Sequence, residues 1–176
     1  MNVKDQIADI FLELVRKKSV DKITVRDIVE KCGITRQSFY YHFSDIFNLI
    51  EWIMQRECSR LLADVSGDDT PEQCAKKLLK STYENRGLIK RLTNTKELET
   101  VEKIIINTVR AFLIKIADPY KTSNVSAAEL DMTLDFYSFA VAGFIMGLHG
   151  RNDTDVERAS AQLLKLLRGQ VQLTDA

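Results

Sequence analysis

Three side chains near the N-terminus have the chemistry needed to read a nucleic-acid base. Arg36, Gln37 and Tyr41 are spaced so that they face outward from a helix that begins after Thr35. The paired hydrogen-bonding groups of arginine and glutamine match the edges of guanine and adenine. A lone surface arginine is more commonly a solvated charge, so this interpretation depends on the elements that position Arg36.

A predicted helix, a glycine turn and a second helix position these side chains. Thr24 and Asp27 have the spacing of a capping box, which predicts a helix that starts there and ends at Gly33. Glycine adopts positive φ without strain, so Gly33 suits a tight turn. Thr35 is predicted to cap the second helix, which runs to about His42. In such a pair the second helix enters the major groove of DNA while the first braces it.

The neighbouring segments predict two further helices that pack on this pair. A helix over residues 3–18 is predicted from apolar residues at helical spacing, namely Ile7, Ile10, Phe11, Leu14 and Val15. Ser44 is predicted to cap a fourth helix. Ile34 and Phe39 are predicted to hold the second helix of the pair on the core. The N-terminal part is therefore three short helices followed by a longer one.

The rest of the chain is also predicted to be helical. A polar turn over residues 65–70 precedes Thr70, Pro71 and Gln73, which together form a strong helix start signal. Later helices are predicted over 87–93, 96–117, 126–149 and 154–168, and no strand-like alternation is present. The predicted fold is all-α, with a helix-turn-helix domain over residues 1–46 and a ligand-binding and dimerisation domain over residues 47–176.

Charge alone does not identify the partner. The chain has 25 Lys and Arg against 25 Asp and Glu, so it carries no broad basic field for nucleic acid. Residues 1–50 contain eight basic and seven acidic side chains, a surplus of one. Any DNA-binding surface must therefore be local.

Other chemistry has little support in the sequence. Cys32, Cys58 and Cys74 are widely spaced without a CxxC pair, which indicates reduced thiols of a cytoplasmic protein. Acidic residues interrupt the first apolar stretch, so no signal peptide is predicted. The longest apolar run, 139–148, is about half of the ~20 residues that a membrane span needs. No acid pair, nucleophile triad or phosphate loop has convincing spacing, so no enzyme activity, metal or cofactor is expected.

The residues around the glycine turn resemble the TetR family of bacterial regulators. That family is marked by a glycine, a small apolar residue and Ser or Thr, then a short helix ending in Tyr-x-His-Phe. The matching residues are Gly33-Ile34-Thr35 and Tyr40-Tyr41-His42-Phe43.

The resemblance covers about residues 5–53 and implies particular roles. It implies phosphate contacts from Thr24, Thr35, Tyr40 and His42, base contacts from Arg36, Gln37 and Tyr41, and a place for Ser38 on the same surface. Two positions depart from the family pattern. Val29 stands where a small Ala is usual, and Ile46 stands where a Lys is usual, so a phosphate-binding cation is missing there.

The C-terminal region is similar to a Firmicutes branch of this family that includes the activator of dihydroxyacetone kinase operons. The similar stretches are residues 83–89 and 139–148. The family resemblance implies a homodimer formed by the last two helices. Small residues at Ala140, Gly143 and Gly147, flanked by Tyr137, Phe144 and Leu148, would let a partner helix approach. Val156, Ala159, Leu163 and Leu166 or Leu167 would complete that face, and an ordinary intrachain core is the alternative.

An apolar effector pocket is a further candidate, although such residues more commonly form plain core. The residues that could line it are Trp52, Tyr83, Phe112, Met132, Phe136 and Phe139. The favoured function is a dimeric, ligand-responsive repressor that binds double-stranded operator DNA. The alternative is a protein-interacting coactivator of the same fold, which acts through a partner protein.

Overall fold

The computed structural model describes residues 2–66, 69–117, 126–148 and 156–167. All regular structure within these ranges is helical, including a 3₁₀ turn at Val20–Lys22. The helices are α1 Val3–Lys17, α2 Val25–Cys32, α3 Arg36–His42, α4 Ile46–Ala63, α5 Pro71–Glu84, α6 Arg86–Thr93, α7 Leu98–Ala117, α8 Ala127–Leu148 and α9 Val156–Leu167. The predicted all-α fold is confirmed, and in these ranges no helix combines the length and hydropathy needed to cross a membrane.

Local signals set the boundaries of α2 and α3 as predicted. The backbone N–H of Asp27 donates to the Thr24 hydroxyl at 3.2 Å, and the Asp27 carboxylate accepts from the Thr24 N–H at 2.7 Å. This capping box satisfies donors that the first turn of a helix leaves unpaired. Gly33 ends α2 with φ +70 and ψ 30, the left-handed region. Thr35 then caps α3 by accepting from the Ser38 N–H at 3.1 Å.

The prediction for the start of α4 is wrong by one residue. Asp45, not Ser44, is the N-cap, and its carboxylate accepts from the Asn48 N–H at 2.8 Å. The Ser44 hydroxyl instead donates to Asp45 at 3.3 Å. Both residue types can cap a helix, and a carboxylate also interacts favourably with the positive end of the helix dipole.

The C-terminal helices follow the predicted pattern with small shifts at their ends. Thr70 and Gln73 form the predicted capping box of α5, with distances of 2.7 and 3.3 Å. The helices predicted over 87–93, 96–117, 126–149 and 154–168 are α6 to α9. The predicted starts at 87, 96 and 126 and the predicted end at 93 lie within two residues of the observed ones. The predicted boundaries at 149, 154 and 168 lie outside the described residues.

Packing joins the two predicted domains through one hydrophobic cluster. Phe11 and Phe39 belong to the same buried cluster as Val101 and Ile145 of the later helices. Within it α1 packs on α2 and α6, α7 packs between α4 and α8, and α5 packs on α9. The predicted boundary after residue 46 falls at the first residue of α4, so this helix extends from the N-terminal part into the C-terminal part. The division at that residue stays a prediction.

Two polar contacts also connect the N-terminal helices to the body. The Arg56 guanidinium on α4 donates to Asp5 at 3.0 Å and to Asp9 at 3.4 Å, both on α1, and its side chain is 12% exposed. The Asp21 carboxylate accepts from the Lys96 N–H at 3.2 Å and from the Thr95 hydroxyl. These contacts fix the orientation of α1 and the 3₁₀ turn relative to α4 and the α6–α7 connection.

Gly33 allows a direct test of the turn. Replacing Gly33 with Ala should lower the free energy of unfolding by about 1–2 kcal/mol, because an L side chain strains the left-handed backbone. A Cβ built there has no neighbour within 4 Å, so the loss would come from the backbone and not from a clash. Gly33→Asn is the matched control and should lose less, because Asn tolerates this region. Urea unfolding of the three proteins measures the difference, and equal stability of the Ala and Gly proteins would contradict the prediction.

Candidate nucleic-acid-binding surface

The exposed face of α3 consists of four side chains with hydrogen-bonding groups. Successive residues of an α-helix are about 100° apart, so Arg36, Gln37, Tyr40 and Tyr41 share one side of this seven-residue helix. All four are exposed, and Tyr41 reaches 84% exposure. Aromatic side chains are usually covered in a folded chain. This face therefore presents an unusual amount of amphipathic surface to solvent.

Two buried phenylalanines hold the opposite side of α3. Phe39 is 0% and Phe43 2% exposed, and their ring centroids are 5.9 Å apart. The Phe43 ring meets Trp52 of α4 edge-on at 5.8 Å. Ile34 packs against the same cluster from the turn before α3. The predicted anchoring of α3 through Ile34 and Phe39 is confirmed.

The borders of the exposed face carry half-buried groups. Ser38 and His42 lie one turn apart and are both of intermediate exposure. The His42 ring contacts Tyr41 edge-on at 5.0 Å. Tyr40 contacts Phe39 in a similar way at 5.5 Å and is 56% exposed, so part of its ring packs and part remains accessible.

The two predicted threonine contacts differ in the hydrogen bonds they can still make. Thr35 uses a lone pair for its cap, which leaves its hydroxyl proton for another acceptor. Thr24 donates its hydroxyl proton to the Asp27 carboxylate at 2.7 Å, and its backbone N–H donates to the same oxygen. In this structure Thr24 therefore has no hydroxyl proton left for a phosphate. The Asp27 carboxylate accepts from both of its donors, which weighs against the phosphate contact predicted for Thr24.

Acidic side chains neutralise many of the cations near this surface. Glu13 binds Lys17 at 2.8 Å and Lys31 at 2.5 Å, and hydrogen bonds from these ammonium groups hold the pKa of Glu13 at about 2. Lys18 binds Asp27 at 2.9 Å, and this contact, followed by the bonds from Thr24, lowers the pKa of Asp27 to about 2.

Arg36 is available to pair with an external partner. Arg26 is paired with Glu30 at 2.6 Å, whereas Arg36 forms no ion pair with any residue that the structure describes. The small basic surplus of the N-terminal region is thus concentrated at a few positions, of which Arg36 begins α3.

A cation that sequence reasoning missed lies close to the end of α3. The Lys4 ammonium on α1 is 5.5 Å from the centroid of the Phe43 ring and 6.0 Å from that of Trp52. Nothing local in the sequence indicates this, because Lys4 and Phe43 meet only through the packing of α1 on the later helices. Ile46, at the position where a cation was missing, instead packs against the hydrophobic cluster, and Val29 is buried.

The small-residue stripe predicted on α8 faces solvent in the single chain. Ala140, Gly143 and Gly147 are exposed, and a Cβ built on either glycine would meet nothing within 4 Å. The intrachain-core alternative for these residues is therefore wrong. Met132, Phe136 and Phe139 lie on the same side of the helix and are 75%, 68% and 62% exposed.

The predicted face of α9 is only partly available. Leu163 is buried within the chain, because α9 packs on α5, whereas Leu166 is 49% exposed. The prediction that Leu163 belongs to the face for a partner chain is wrong, because this side chain is covered within its own chain. The side chains of Leu148, Val156 and Leu167 lie outside the described part of the structure.

The candidate pocket residues separate into different environments. Phe112 lines a cavity between the C-terminal helices. Trp52 packs on Phe43, and Tyr83 lies under the Arg86 guanidinium at 4.2 Å. The three candidates on α8 are exposed instead of lining a pocket: Met132, Phe136 and Phe139.

Comparison with known proteins gives matches over both parts of the chain. Residues 12–51 match the family described as "Bacterial regulatory proteins, tetR family". Residues 69–169 match a family described as "Transcriptional regulator C-terminal region". Together the two matches cover the helix-turn-helix and most of the later helices.

Individual relatives are more distant. The HTH-type dhaKLM operon transcriptional activator DhaS of Lactococcus lactis subsp. lactis (strain IL1403) is 33% identical over 60 residues, or 34% of this chain. The aligned part spans 32% of that relative's length. A solved structure of a dihydroxyacetone kinase operon activator DhaS is 20% identical and has a TM-score of 0.67, with 99% of this chain and 98% of that chain covered.

Two other solved structures share the fold. Lin0861 from Listeria innocua has a TM-score of 0.72 at 16% identity, with 96% and 91% of the two chains covered. The TetR family repressor AlkX from Dietzia sp. strain DQ12-45-1b has a TM-score of 0.58 at 14% identity, with 95% and 98% covered.

The pairing of Glu13 predicts a defined pH dependence of stability. Its pKa in the folded chain is about 2, below the ordinary value of 4.5, so its contribution is present above about pH 4.5 and is lost as the pH falls toward 2. Glu13→Gln should therefore lower the melting temperature at neutral pH, and the difference from the unmodified protein should shrink in acid. Glu84→Gln is the control, since Glu84 forms no ion pair among the described residues. A Glu13→Gln difference that stays constant with pH would contradict the assignment.

Proposed function

The chain belongs to the tetR family of bacterial regulatory proteins and is a DNA-binding transcriptional regulator, and we propose that it acts as a dimeric, ligand-responsive repressor. The observation that carries this proposal is the exposed face of α3, anchored behind by Phe39. We take residues 1–46 as the DNA-binding domain and 47–176 as the ligand-binding and dimerisation domain. A regulator of bacterial operators works in the cytoplasm.

Base contacts are assigned to the side chains that extend furthest from α3. Arg36 and Gln37 occupy its first turn, and Tyr41 is the most exposed aromatic residue on it. The Arg36 guanidinium can bind guanine through two hydrogen bonds, and the Gln37 amide can bind adenine in the same way. These three residues are proposed to select the operator sequence.

Phosphate contacts are assigned to the groups at the borders of that face. Thr35, Ser38, Tyr40 and His42 can donate to phosphate oxygens, which fixes the position of the helix without reading sequence. Thr24 is proposed to support the surface through the cap of α2, because Asp27 already accepts from its donors. Lys4 is added as a cation that lies beside the end of α3.

The exposed stripe of α8 is the proposed dimer contact. Small residues allow the backbones of two helices to approach closely, and Phe136 and Phe139 supply apolar area next to them. A symmetric pair buries the same stripe from both chains. The two recognition helices then need a separation of roughly 34–36 Å to reach successive half-sites, so a small pivot reduces operator affinity.

Repression is proposed because a dimer on an operator can block a promoter without a further protein. The second candidate function is coactivation through a partner protein, which is suggested by the name of an operon activator that is 33% identical over 60 residues. A reporter gene behind a selected operator separates the two. Expression that falls when this chain alone is supplied supports repression, whereas expression that rises only with a partner supports coactivation.

Base-reading and phosphate-binding residues can be distinguished by their effect on specificity. Arg36→Ala or Gln37→Ala should remove about 1–3 kcal/mol of discrimination at one base position. Tyr40→Phe deletes only a hydroxyl and should weaken operator and random duplexes by similar factors. Fluorescence anisotropy on both duplexes, after selection of the operator from random DNA, measures these effects. Unchanged sequence preference in both alanine variants, or a Tyr40→Phe loss confined to the operator, would contradict the assignments.

The dimer contact is tested by filling the space above Gly143. Gly143→Leu should weaken the dimer while leaving the single chain folded, because a Cβ there meets nothing within the chain. Ala111→Leu on the exposed side of α7 is the matched control and should leave the dimer intact. Sedimentation equilibrium gives the dimer dissociation constant, with thermal melting as the check on folding. A dimer of unchanged affinity in Gly143→Leu would place the contact elsewhere.

A further inference from the structure

A cavity of about 110 Å³ lies between α4, α5, α6, α7 and α8. Its apolar wall includes Ile53 and Leu61 of α4, Leu78 of α5, Ile89 of α6, and Ile105 and Phe112 of α7. The cavity is partly open to solvent, and its wall is mainly apolar. Water gains little against an apolar wall, so such a cavity favours an apolar ligand.

The two threonine hydroxyls in the wall already donate to the backbone of their own helices, and Ser81 and Asn85 are the other hydroxyl and amide side chains in the described lining. Thr82 Oγ1 donates to the Leu78 carbonyl at 2.8 Å, and Thr108 Oγ1 donates to the Ile104 carbonyl at 2.8 Å. A carbonyl or carboxylate placed beside Thr82 or Thr108 would therefore find neither proton available. Burying an acceptor without a donor is unfavourable.

The charged side chain of the cavity wall does not suit an ionic ligand. Glu57 alone among the described lining residues is charged, and its carboxylate binds Arg60 at 2.8 Å and Arg56 at 3.2 Å. A cationic ligand would compete with two guanidinium groups for that carboxylate, and an anionic ligand would meet no cation in the wall. Cys58 adds no charge, because burial raises the pKa of its thiol.

We propose that this cavity binds a small, uncharged, mainly apolar molecule, about the size of a benzene ring. A dry apolar cavity of roughly 150 Å³ accepts benzene in another protein, so 110 Å³ suits a ligand of similar or slightly smaller size. This inference deepens the ligand-responsive part of the proposed function by naming the chemical class of the effector. Binding to the cavity and control of DNA binding are separate steps, and each is measured by itself.

Occupancy of the cavity can reach the DNA-binding domain through α4. This helix lines the cavity with Ile53 and Met54 and begins three residues after Phe43. Its Arg56 forms an ion pair with Asp5 of α1. A ligand that moves α4 therefore also moves the contacts that hold α1 and α3.

Thermal melting of the full chain with three probes that share a benzene ring tests the ligand class. Benzene should raise the melting temperature by about 2–4 °C at several times its dissociation constant. Benzoate and benzylamine, at the same concentration, should leave it unchanged. Equal stabilisation by either ion would overturn the proposal, because the wall would then accept charge.

Isoleucine methyl NMR locates the binding. Benzene should shift the methyl resonances of Ile53, Ile89 and Ile105, whereas Ile28, in the core beside α3, should not move. Ala111→Leu, on the exposed side of α7 and outside the wall, should leave benzene binding unchanged. Val109→Phe should fill the cavity and abolish it, and if that variant fails to fold, the methyl shifts of the unmodified chain decide.

The methyl shifts and the operator affinity test the ligand class and the ligand response separately. Benzene that shifts none of the cavity methyls would overturn the proposed ligand class. Benzene that shifts them and leaves operator affinity unchanged would confirm the ligand class and would instead contradict the ligand-responsive part of the proposed function.

Discussion

The burial of Phe39 and Phe43 is the interaction on which the DNA-binding surface depends. A helix of seven residues is too short to persist in water by itself, since isolated helices below about 12 residues are marginal. The two rings, together with Trp52 behind them, supply the stabilisation that α3 lacks. Because Phe39 fixes the rotation of α3, it also determines that Arg36, Gln37 and Tyr41 face outward.

Most of the cations close to the DNA-binding surface are paired with carboxylates of the same chain. The chain is neutral overall, and carboxylates neutralise Lys17, Lys18, Lys31 and Arg26 close to the surface. Association with DNA gains affinity from each phosphate that a cation neutralises, and the gain falls as salt rises. With few unpaired cations, binding should depend more on the specific contacts of α3 than on a general attraction to the phosphate backbone.

The long helix α4 links the parts that a regulator must coordinate. It begins next to α3, binds α1 through Arg56, and then forms one wall of the cavity. Asp21 adds a second connection, from the 3₁₀ turn to the segment that follows α6. A rearrangement in the C-terminal helices therefore has two physical routes to α1 and α3. Opposite the cavity wall, the exposed side of α8 leaves apolar area for a second chain.

Signals between near neighbours in the chain could be read from the sequence. The Thr24 and Thr70 capping boxes, the turn at Gly33 and the apolar spacing of α1 involve residues only three or four positions apart, and the helices follow them. Competition between neighbouring side chains decided that Asp45 rather than Ser44 caps α4 and that Asp27 occupies both donors of Thr24. Tertiary structure decided what depends on distant residues, such as the position of Lys4 beside Phe43. It also decided which side of α8 is covered. From residue 136 onward almost every residue of that helix is apolar, so the sequence pattern there cannot distinguish the core face from the exposed stripe.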